Sequence, residues 1–490
     1  MDGTQHDFMA VGTWQGRLYS GGWVTATGGA ADVIAPGDGG TLASVGTGGP
    51  ADVAAAARAA RAAQPAWEAT PAHKRAQILT AAAALLERHR DELMPWIIRE
   101  TGSIPPKAAV EIEHSASFLR AAAAIATEPA GRILPSMDGR HEELLRVPHG
   151  VVGVISPFNF PLVLSIRAIA AGLATGNAIV HKPDPRTPVS GGIIIARIFE
   201  EAGLPAGLLH VIPGGGDVGA ALCEDPDIAM VSFTGSAEVG AKVGGACGRT
   251  LKRVQLELGG KNALIILDDA DLDTAVSNAA WGAWLHQGQI CMATGLILAP
   301  AAMAGAVADA LAAKAAHLPV GDPANEPCAM GPLITEAEAV RVKAIVDDAV
   351  AKGARLLAGG TPQGRMFPAT VLADVMPGMR AFDEEIFGPV AVVVACDSDD
   401  HAVALVNRSD YGLAAGIISR DPARARAIGN RLRVGHLHIN DQTVVASPLA
   451  PFGGRGRSGN GSRISGPAIW EEFTQWVWVT TRSEALATPF

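Results

Sequence analysis

Short apolar runs alternate with helical segments through the middle of the chain. Runs rich in β-branched residues predict strands at 151–156, 178–181, 208–212, 230–234 and 253–258. The segments between them have the periodicity of helices, one of which is expected from 188 to 202. Because the runs are apolar on both faces and each is followed by a helix, they predict a doubly wound parallel sheet that is covered on both sides.

The rest of the chain predicts a second α/β unit and two separate strands. Residues 52–90 are rich in alanine with periodic large apolar side chains, which predicts helices. A second α/β stretch runs from about 261 to 450. The runs 143–147 and 476–481 belong to neither series. We expect these two strands to pair either with each other or with another subunit.

Composition and charge narrow the classes of partner. The 490 residues are 48% hydrophobic and carry a net charge of −10, which disfavours nucleic acid or an anionic membrane as the main partner. Apolar stretches stop well short of the roughly 18 residues that a membrane span needs. The start, Met1-Asp2-Gly3, lacks the basic and apolar regions of a secretory signal. We therefore expect a soluble, cytoplasmic protein with no membrane association.

The cysteines and acidic residues do not form a metal-binding motif. Five scattered cysteines without CxxC spacing indicate reduced thiols rather than a disulfide framework or a zinc site. Asp269, Asp271 and Asp273 alternate like a calcium loop, but Thr274 and Ala280 stand where that loop needs a glycine and a glutamate. These acids therefore predict the start of a helix, and no metal is expected.

Two glycine-rich turns follow predicted strands and could approach a phosphate group. The first, Gly214 to Gly219, matches GxGxxG, which is a weak signal in a chain so rich in glycine. The second, Phe233-Thr234-Gly235-Ser236-Ala237-Glu238-Val239-Gly240, joins a strand to a helix start. Ser236 can donate to a phosphate or can simply cap the helix, and both interpretations remain open.

Glu257 and Cys291 are candidates for acid–base and nucleophilic chemistry. Glu257 ends an apolar strand between two leucines, where desolvation raises the pKa of a carboxyl toward the range of a general base. An isolated cysteine such as Cys291 is more often a small buried apolar residue than a nucleophile. Taken singly, each residue is more often structural than catalytic.

Taken together and in order, these segments closely resemble the aldehyde dehydrogenase superfamily over about residues 20–485. The matching segments are Pro157-Phe158-Asn159-Phe160-Pro161, Thr175-Gly176-Asn177, His181-Lys182-Pro183, the turn from Phe233 to Gly240, Glu257-Leu258-Gly259-Gly260-Lys261-Asn262, Gly288-Gln289-Ile290-Cys291, Glu385-Ile386-Phe387-Gly388-Pro389 and Pro451-Phe452-Gly453-Gly454. Within the superfamily the chain is most similar to bacterial benzaldehyde dehydrogenases, through Leu285-His286-Gln287, His438-Ile439-Asn440-Asp441-Gln442 and Phe473-Thr474-Gln475.

The resemblance implies an aldehyde-dehydrogenase-like α/β fold with three parts. The doubly wound, dinucleotide-binding domain would comprise residues 1–125 and 148–256. The catalytic α/β domain would comprise residues 257–455. A small β extension, made of residues 126–147 and 470–490, would support a homodimer or homotetramer.

The resemblance also implies a covalent mechanism for oxidising an aldehyde to its acid. Cys291 would be the nucleophile, the Asn159 amide and the Cys291 backbone N–H would hold the oxyanion, and Glu257 would activate water. The implied cofactor is NAD, with NADP also possible, bound by Ser156, Phe158, Lys182, Gly214, Phe233, Gly235, Ser236, Val239, Gly240, Leu258, Glu385 and Phe387. The implied substrate pocket, suited to an aromatic aldehyde, comprises Phe160, Leu164, Arg167, Leu285, Ile290, Met292 and Phe452.

Some positions depart from the family pattern. Many NAD-selective relatives carry an acid three residues after the lysine, where this chain has Lys182-Pro183-Asp184-Pro185. The usual Arg-Glu pair is replaced by Ser462-Arg463, so a proton relay through that glutamate is absent. Gln475 stands where relatives often have glutamate. Arg167 interrupts an otherwise apolar pocket, as an ion-pair partner or as a contact for an acidic substrate.

Other functions are considered beside oxidation of an aromatic aldehyde. The substrate could instead be an aliphatic aldehyde or a semialdehyde. A CoA-acylating dehydrogenase would not need Glu257, and a catalytically silent member would be expected to lose Cys291, Asn159 or Glu257. A Cys–His hydrolase built on Cys291 and His286 would leave the cofactor segments unexplained.

Overall fold

The computed structural model describes residues 7–136 and 138–489. Met1 to Gly3, on which the expectation about a secretory signal rests, lie outside these residues, as do the outermost ends of the predicted domains. The strands are β1 (Arg17–Ser20), β2 (Trp23–Thr25), β3 (Ala30–Ile34), β4 (Thr41–Gly46), β5 (Gly131–Leu134), β6 (His141–Pro148), β7 (Val151–Ile155), β8 (Ala178–Lys182), β9 (Leu209–Val211), β10 (Met230–Gly235), β11 (Arg253–Leu258), β12 (Asn262–Ile266), β13 (Thr294–Pro300), β14 (Arg355–Ala358), β15 (Thr370–Ala373), β16 (Val390–Cys396), β17 (Tyr411–Gly412), β18 (Ala414–Ile418), β19 (His436–Ile439), β20 (Arg455–Gly456) and β21 (Thr474–Thr481).

Helices occur between most of these strands and in the N-terminal quarter. They are α1 (Val11–Trp14), α2 (Pro50–Glu68), α3 (Ala72–Arg88), α4 (Arg90–Thr101), α5 (Pro105–Ala126), α6 (Pro161–Ala174), α7 (Ile194–Glu201), α8 (Gly216–Glu224), α9 (Ala237–Arg249), α10 (Leu272–Trp284), α11 (Ala301–Ala315), α12 (Glu336–Ala351), α13 (Arg380–Asp383), α14 (Asp399–Asn407), α15 (Pro422–Gly429) and α16 (Ala468–Phe473).

The first large sheet confirms the predicted doubly wound arrangement. Its seven strands lie in the order β11, β10, β7, β8, β9, β1 and β2. The five strands from β11 to β9 run parallel, and β1 and β2 extend the edge in antiparallel pairs. Strands β7 and β8 are buried at every position, because helices cover both faces, and their side chains are apolar except for His181 and Lys182 at the end of β8.

The second large sheet is built from the α/β stretch that follows. Its order is β14, β15, β16, β13, β12, β18 and β19, with all neighbours parallel except β14 and β15. Asp271 caps α10 by accepting a hydrogen bond from the backbone N–H of Thr274 at 2.9 Å. The alternating acids at 269–273 are therefore a helix start, as predicted.

The two separate strands pair with each other. Strands β6 and β21 are antiparallel, from Thr474 opposite Pro148 to Thr481 opposite His141, and β5 adds a third strand. Trp476, Val477 and Trp478 on β21 are exposed, with Trp478 at 60%. The sheet therefore keeps an apolar surface that the described chain does not cover.

One predicted helix begins with an irregular turn. The segment predicted from 188 to 202 starts as a π-helical turn, Val189–Ile193, before α7. Glu100 accepts hydrogen bonds from the backbone N–H groups of Val189 and Ser190, so a buried carboxylate takes two donors that the turn leaves free. Within the described ranges, the chain has no helix long and apolar enough to cross a bilayer and no cluster of three metal-binding side chains.

Candidate active site

A cavity of about 930 Å³ opens at the carboxyl ends of the strands of the first sheet. Ser156 follows β7, Lys182 ends β8, Gly235 ends β10, and Glu257 is the penultimate residue of β11. The second α/β unit contributes Cys291, Glu385 and Phe387 to the cavity wall. Parallel strands end at one edge of their sheet, so residues far apart in the sequence meet here.

The loop that carries Cys291 is held in an unusual backbone conformation. His286 and Gln287 both adopt left-handed backbone angles, with φ of 48° and 55°. Such angles cost of order 1–3 kcal/mol each and persist only where the surroundings fix them. The Gln287 side-chain amide fixes this segment by donating hydrogen bonds to the backbone carbonyls of Gly102 and Pro332, both at 2.9 Å.

The thiol of Cys291 faces the cavity from this fixed loop. The backbone carbonyl of Cys291 accepts a hydrogen bond of 2.8 Å from the Asn262 side chain. Burial raises the pKa of Cys291 to about 12, and the positive charge of Arg167 opposes that rise. The thiol is therefore protonated at neutral pH unless positive charge or a bound ligand favours the thiolate.

Asn159 is held next to the Cys291 loop. Its Nδ2 donates to the backbone carbonyl of Gln289 at 2.9 Å, and its side chain lines the cavity. One amide proton is used in that bond, which leaves the other for a ligand. Just beyond Asn159, Glu111 accepts the backbone N–H of Leu162 at 2.8 Å and fixes the start of α6.

Glu257 has one satisfied and one free carboxylate oxygen. Its Oε1 accepts a hydrogen bond from the Gln255 side chain at 2.8 Å. Its Oε2 is buried without a hydrogen-bond partner among the described residues. Burial raises the pKa of Glu257 to about 8, whereas the positive charges of Arg167 and Arg463 lower it. A carboxyl with such a pKa can exchange a proton near neutral pH.

The start of α9 presents backbone N–H groups to the cavity. Ser236 caps this helix, its Oγ accepting from the N–H of Val239 at 3.3 Å, so the hydroxyl hydrogen remains available. Gly235 cannot be larger, because a Cβ there would lie 2.5 Å from the ring of Phe233. Phe233, Gly235, Ser236 and Val239 all line the cavity.

Charged side chains occupy another part of the wall. The Lys182 ammonium is buried, which lowers the pKa of Lys182 below its ordinary value. Asp184 pairs with Arg186 through two hydrogen bonds of 2.8 Å, and the Arg186 guanidinium stacks 4.0 Å from the ring of Phe158. Phe158 in turn meets Phe387 edge to face at 5.9 Å.

Glu385 lies across the cavity from Lys182. Its Oε1 accepts the backbone N–H of Gly260 at 3.0 Å. Burial raises the pKa of Glu385 to about 7, while that hydrogen bond and the charges of Arg341 and Lys261 lower it. Gly259 is required beside it, because any Cβ there would collide with the Glu385 carboxylate.

The structure does not place every predicted cofactor residue on the cavity surface. Gly214 lies behind the wall, and Gly216 and Gly219 of the same turn line the cavity instead. Gly240 and Leu258 pack against each other, since a Cβ at Gly240 would meet the Leu258 side chain. These three residues support the wall and do not form its surface.

The predicted substrate residues are divided between the cavity wall and the adjoining hydrophobic core. Leu164 lines the cavity, and the other apolar ones belong to the same hydrophobic cluster as the Cys291 side chain, namely Phe160, Leu285, Ile290, Met292 and Phe452. Arg167 lies over the Phe452 ring, with its Cζ 4.7 Å from the ring centroid. His286 packs edge-on against Phe160 and forms no hydrogen bond to Cys291, so the described residues contain no Cys–His pair.

Sequence reasoning missed several charged residues of the wall. They are Arg186, Glu224, Glu238, Lys242, Arg249, Glu338 and Arg341. Most lie on helices α8, α9 and α12, where a charged residue normally indicates a solvent-exposed face. Their facing one cavity depends on how the two α/β units pack, which no local pattern encodes.

The whole chain is similar to known aldehyde dehydrogenases. The model of the aldehyde dehydrogenase family matches residues 23–479. A vanillin dehydrogenase of Amycolatopsis sp. is 51% identical, and a benzaldehyde dehydrogenase (NAD(+)) of Pseudomonas putida is 48% identical. Both alignments cover 97% of this chain and 98% of the relative.

Solved structures give the same result. A salicylaldehyde dehydrogenase from Pseudomonas putida G7, complexed with salicylaldehyde, has a TM-score of 0.94 at 33% identity, covering 97% of this chain and 99% of its own. A betaine aldehyde dehydrogenase from Staphylococcus aureus in complex with NAD+ has a TM-score of 0.95 at 30% identity, covering 98% and 97%. The chain therefore belongs to the aldehyde dehydrogenase family and is an oxidoreductase that acts on aldehyde groups.

Proposed function

We propose that this protein oxidises an aromatic aldehyde to the carboxylic acid, with NAD as the hydride acceptor and Cys291 as the nucleophile. The main support is that Cys291, Asn159 and Glu257 line a single cavity. Further support comes from the relatives, which are named for vanillin, benzaldehyde and salicylaldehyde.

The cavity has the chemical groups that a dinucleotide requires. The N–H groups at the start of α9, with the Ser236 hydroxyl, would hold the diphosphate. Lys182 and Glu385 would hold ribose hydroxyls, and Phe387 would pack near the nicotinamide. Gly235 and Gly259 allow the Phe233 ring and the Glu385 carboxylate, both parts of the cavity wall, to pack against the backbone. When bound, NAD+ supplies an acceptor for the hydride that leaves the aldehyde carbon.

The chain's own residues would form and then break a thioester. The Cys291 thiol gives its proton to the Glu257 carboxylate, which passes it to solvent, and the thiolate adds to the aldehyde carbon. The second amide proton of Asn159 and the Cys291 backbone N–H stabilise the oxyanion. Loss of hydride leaves an acyl group on Cys291. Glu257, with its free Oε2, removes a proton from the water that attacks the acyl carbon, and the acid departs.

The walls of the pocket support an uncharged aromatic substrate. Leu164 lines the cavity together with Cys291, and Phe160 and Phe452 supply aromatic surface in the same hydrophobic cluster. Rings pack favourably against such surfaces, at about 0.5–1.5 kcal/mol per aromatic pair beyond burial. An aliphatic aldehyde or a semialdehyde would lose that contribution and is the second choice of substrate.

NAD is proposed over NADP because of Asp184. Its carboxylate lines the cavity near Lys182 and would repel an additional phosphate on the ribose. Arg186 offsets part of that charge through the bidentate pair. We therefore expect a preference for NAD rather than complete exclusion of NADP.

We also propose that the protein is a homodimer or homotetramer that works in the cytoplasm. The exposed tryptophans on β21 provide an apolar sheet surface that a second copy could bury. Five free cysteines suit a reducing compartment. Sedimentation should show a species of at least twice the 50.2 kDa chain mass, and a single monomeric species would contradict the assembly.

The direct test is a substrate panel with the purified protein. Benzaldehyde, vanillin, an aliphatic aldehyde and a semialdehyde are each supplied with NAD or NADP, with and without CoA, and NADH or NADPH absorbance is followed. The proposal expects CoA-independent reduction of NAD with the highest kcat/KM for an aromatic aldehyde. Strict dependence on CoA, or no reduction with any aldehyde, would contradict it.

A further inference from the structure

Arg167 is a buried cation without a conventional partner. It is the seventh of the 14 residues of α6 and is only 4% exposed. Its Nε has no hydrogen-bond partner, and no carboxylate lies within ion-pair distance in the described part of the chain. Burying an unpaired charge is costly, and a nearby anion would offset part of that cost.

The groups around Arg167 come from three parts of the fold. The Phe452 ring lies on one side at 4.7 Å, and Phe452 is itself bridged to Ile464 in an antiparallel pair. Burial lowers the pKa of Arg167, and the negative charges of Glu257 and Cys291 oppose that fall. Arg167 therefore lies within electrostatic reach of both groups that must lose a proton in the proposed mechanism.

The other charged groups near Glu257 and Cys291 already have partners. Arg463 donates to the backbone carbonyls of Gly454 and Ser462 at 3.0 and 2.7 Å. Glu472 pairs with Arg253 at 2.7 Å and accepts the N–H of Arg463.

Two remaining titratable groups near the site are also engaged. Glu385 accepts the N–H of Gly260, and His436 accepts the N–H of Gly453 at 3.1 Å through its Nε2, so that ring is neutral. Arg167 Nε and Glu257 Oε2 are thus a buried donor and a buried acceptor, both unpartnered among the described residues.

We propose that Arg167 is a positioning residue whose guanidinium favours the ionised forms of the Glu257 carboxylate and the Cys291 thiolate. This inference rests on the proposed function. Arg167 and Arg463 both carry positive charge near Glu257, which opposes the rise in pKa that burial causes and increases the fraction of the carboxyl present as the base.

The test separates charge from shape at position 167. Arg167→Met removes the charge at similar length, and Arg167→Lys keeps it. The pH dependence of Cys291 alkylation by iodoacetamide is followed by mapping the peptide that contains Cys291, without substrate or cofactor. We expect Arg167→Met to slow alkylation about tenfold at each pH between 7 and 9, because a thiol pKa one unit higher leaves about a tenth of the thiolate. Arg167→Lys should remain near the wild-type profile.

The same variants are then assayed for turnover. Arg167→Met should lower kcat and move the acid limb of its pH profile upward, with partial rescue in Arg167→Lys. Arg120→Met is the matched control, because Arg120 forms an exposed ion pair with Glu87 away from the cavity and should change neither profile. Thermal melts of all variants, together with Arg167→Gln, show whether a loss of activity is caused by a loss of folded protein.

Two results would overturn the inference. One is an unchanged alkylation profile and kcat in a folded Arg167→Met or Arg167→Gln protein. The other is a rise in KM alone, which would make Arg167 a substrate contact instead. Because alkylation needs no turnover, a wild-type protein that oxidises no aldehyde would contradict the proposed function while the alkylation shift still decides the role of Arg167.

Discussion

Buried charges are treated differently in two neighbouring regions of this molecule. Beneath the start of α6, Lys107 and Glu111 form a fully buried ion pair at 2.5 Å, and Glu111 also accepts the N–H of Leu162. In the cavity, Glu257 and Arg167 are equally buried, yet each keeps an atom without a partner among the described residues.

The comparison distinguishes buried charged groups that stabilise the fold from buried charged groups that can still bind a ligand or exchange a proton. A satisfied buried pair makes one arrangement rigid, whereas an unsatisfied group retains hydrogen-bonding capacity for a ligand. The first region fixes the backbone beside Asn159, and the second provides the reactive groups. The following predictions test this division, from the largest expected effect to the smallest.

Replacing the nucleophile should have the largest effect. Cys291→Ala removes the atom that forms the covalent bond, and we expect turnover to fall by on the order of 10⁴-fold or more. NADH binding, followed by its fluorescence, should persist because the thiol is not among the proposed cofactor contacts. Oxidation retained at a substantial fraction of the wild-type rate would rule out the covalent step.

Breaking the satisfied pair should have its main effect on stability. Lys107→Met leaves the Glu111 carboxylate buried without its cation, which should lower the free energy of unfolding by about 3–5 kcal/mol in denaturant titration. Lys107→Met combined with Glu111→Gln should recover part of the loss. Arg120→Met, in an exposed pair, should cost only about 0–1 kcal/mol. Equal losses of unfolding free energy in the buried-pair and exposed-pair variants would contradict the proposed difference between the two regions.

Removing the side-chain donor at Asn159 should slow both covalent steps. Asn159→Ala is expected to lower kcat by about 100-fold, because one preorganised donor to the oxyanion is lost. Rapid-quench measurement should show slower acyl formation at unchanged NADH affinity. A change in KM alone would indicate that Asn159 only binds substrate.

The pH dependence of deacylation should reveal the state of Glu257. Since burial raises the pKa of Glu257 to about 8, its base form is the minor one at pH 7, and acyl-enzyme hydrolysis should rise as the pH approaches 8 and then level off. The expected gain between pH 7 and the plateau is about tenfold. Glu257→Gln should remove the step from the profile, and a step that survives in that variant would assign it to another group.

The sequence predicts the first sheet well and the packing of the site poorly. Strands β7 and β10 agree with the predicted runs to within a residue. A short, mainly apolar run between two helices fits few structures other than a buried strand. The pairing of β6 with β21 joins residues more than 300 positions apart, and no local pattern distinguishes it from pairing between subunits.

Buried charges are the hardest feature to recognise in sequence. Lys107 and Glu111 have the spacing of an ordinary solvent-exposed helical pair, yet both are buried. Arg186 resembles a loop charge until the structure places it over the Phe158 ring. In the segment from Leu285 to Cys291, motif resemblance predicts the nucleophile, but the left-handed angles of His286 and Gln287 depend on contacts with distant carbonyls, which no local pattern predicts.

The central claim is that an acyl group forms on Cys291 and is released by Glu257. Glu257→Gln protein is mixed with benzaldehyde and NAD, quenched with acid within the first turnover, digested and analysed by mass spectrometry. The account predicts a benzoyl adduct on the peptide that contains Cys291, in larger amount than in the wild-type protein. Formation of NADH with no acylated peptide in either protein would contradict it.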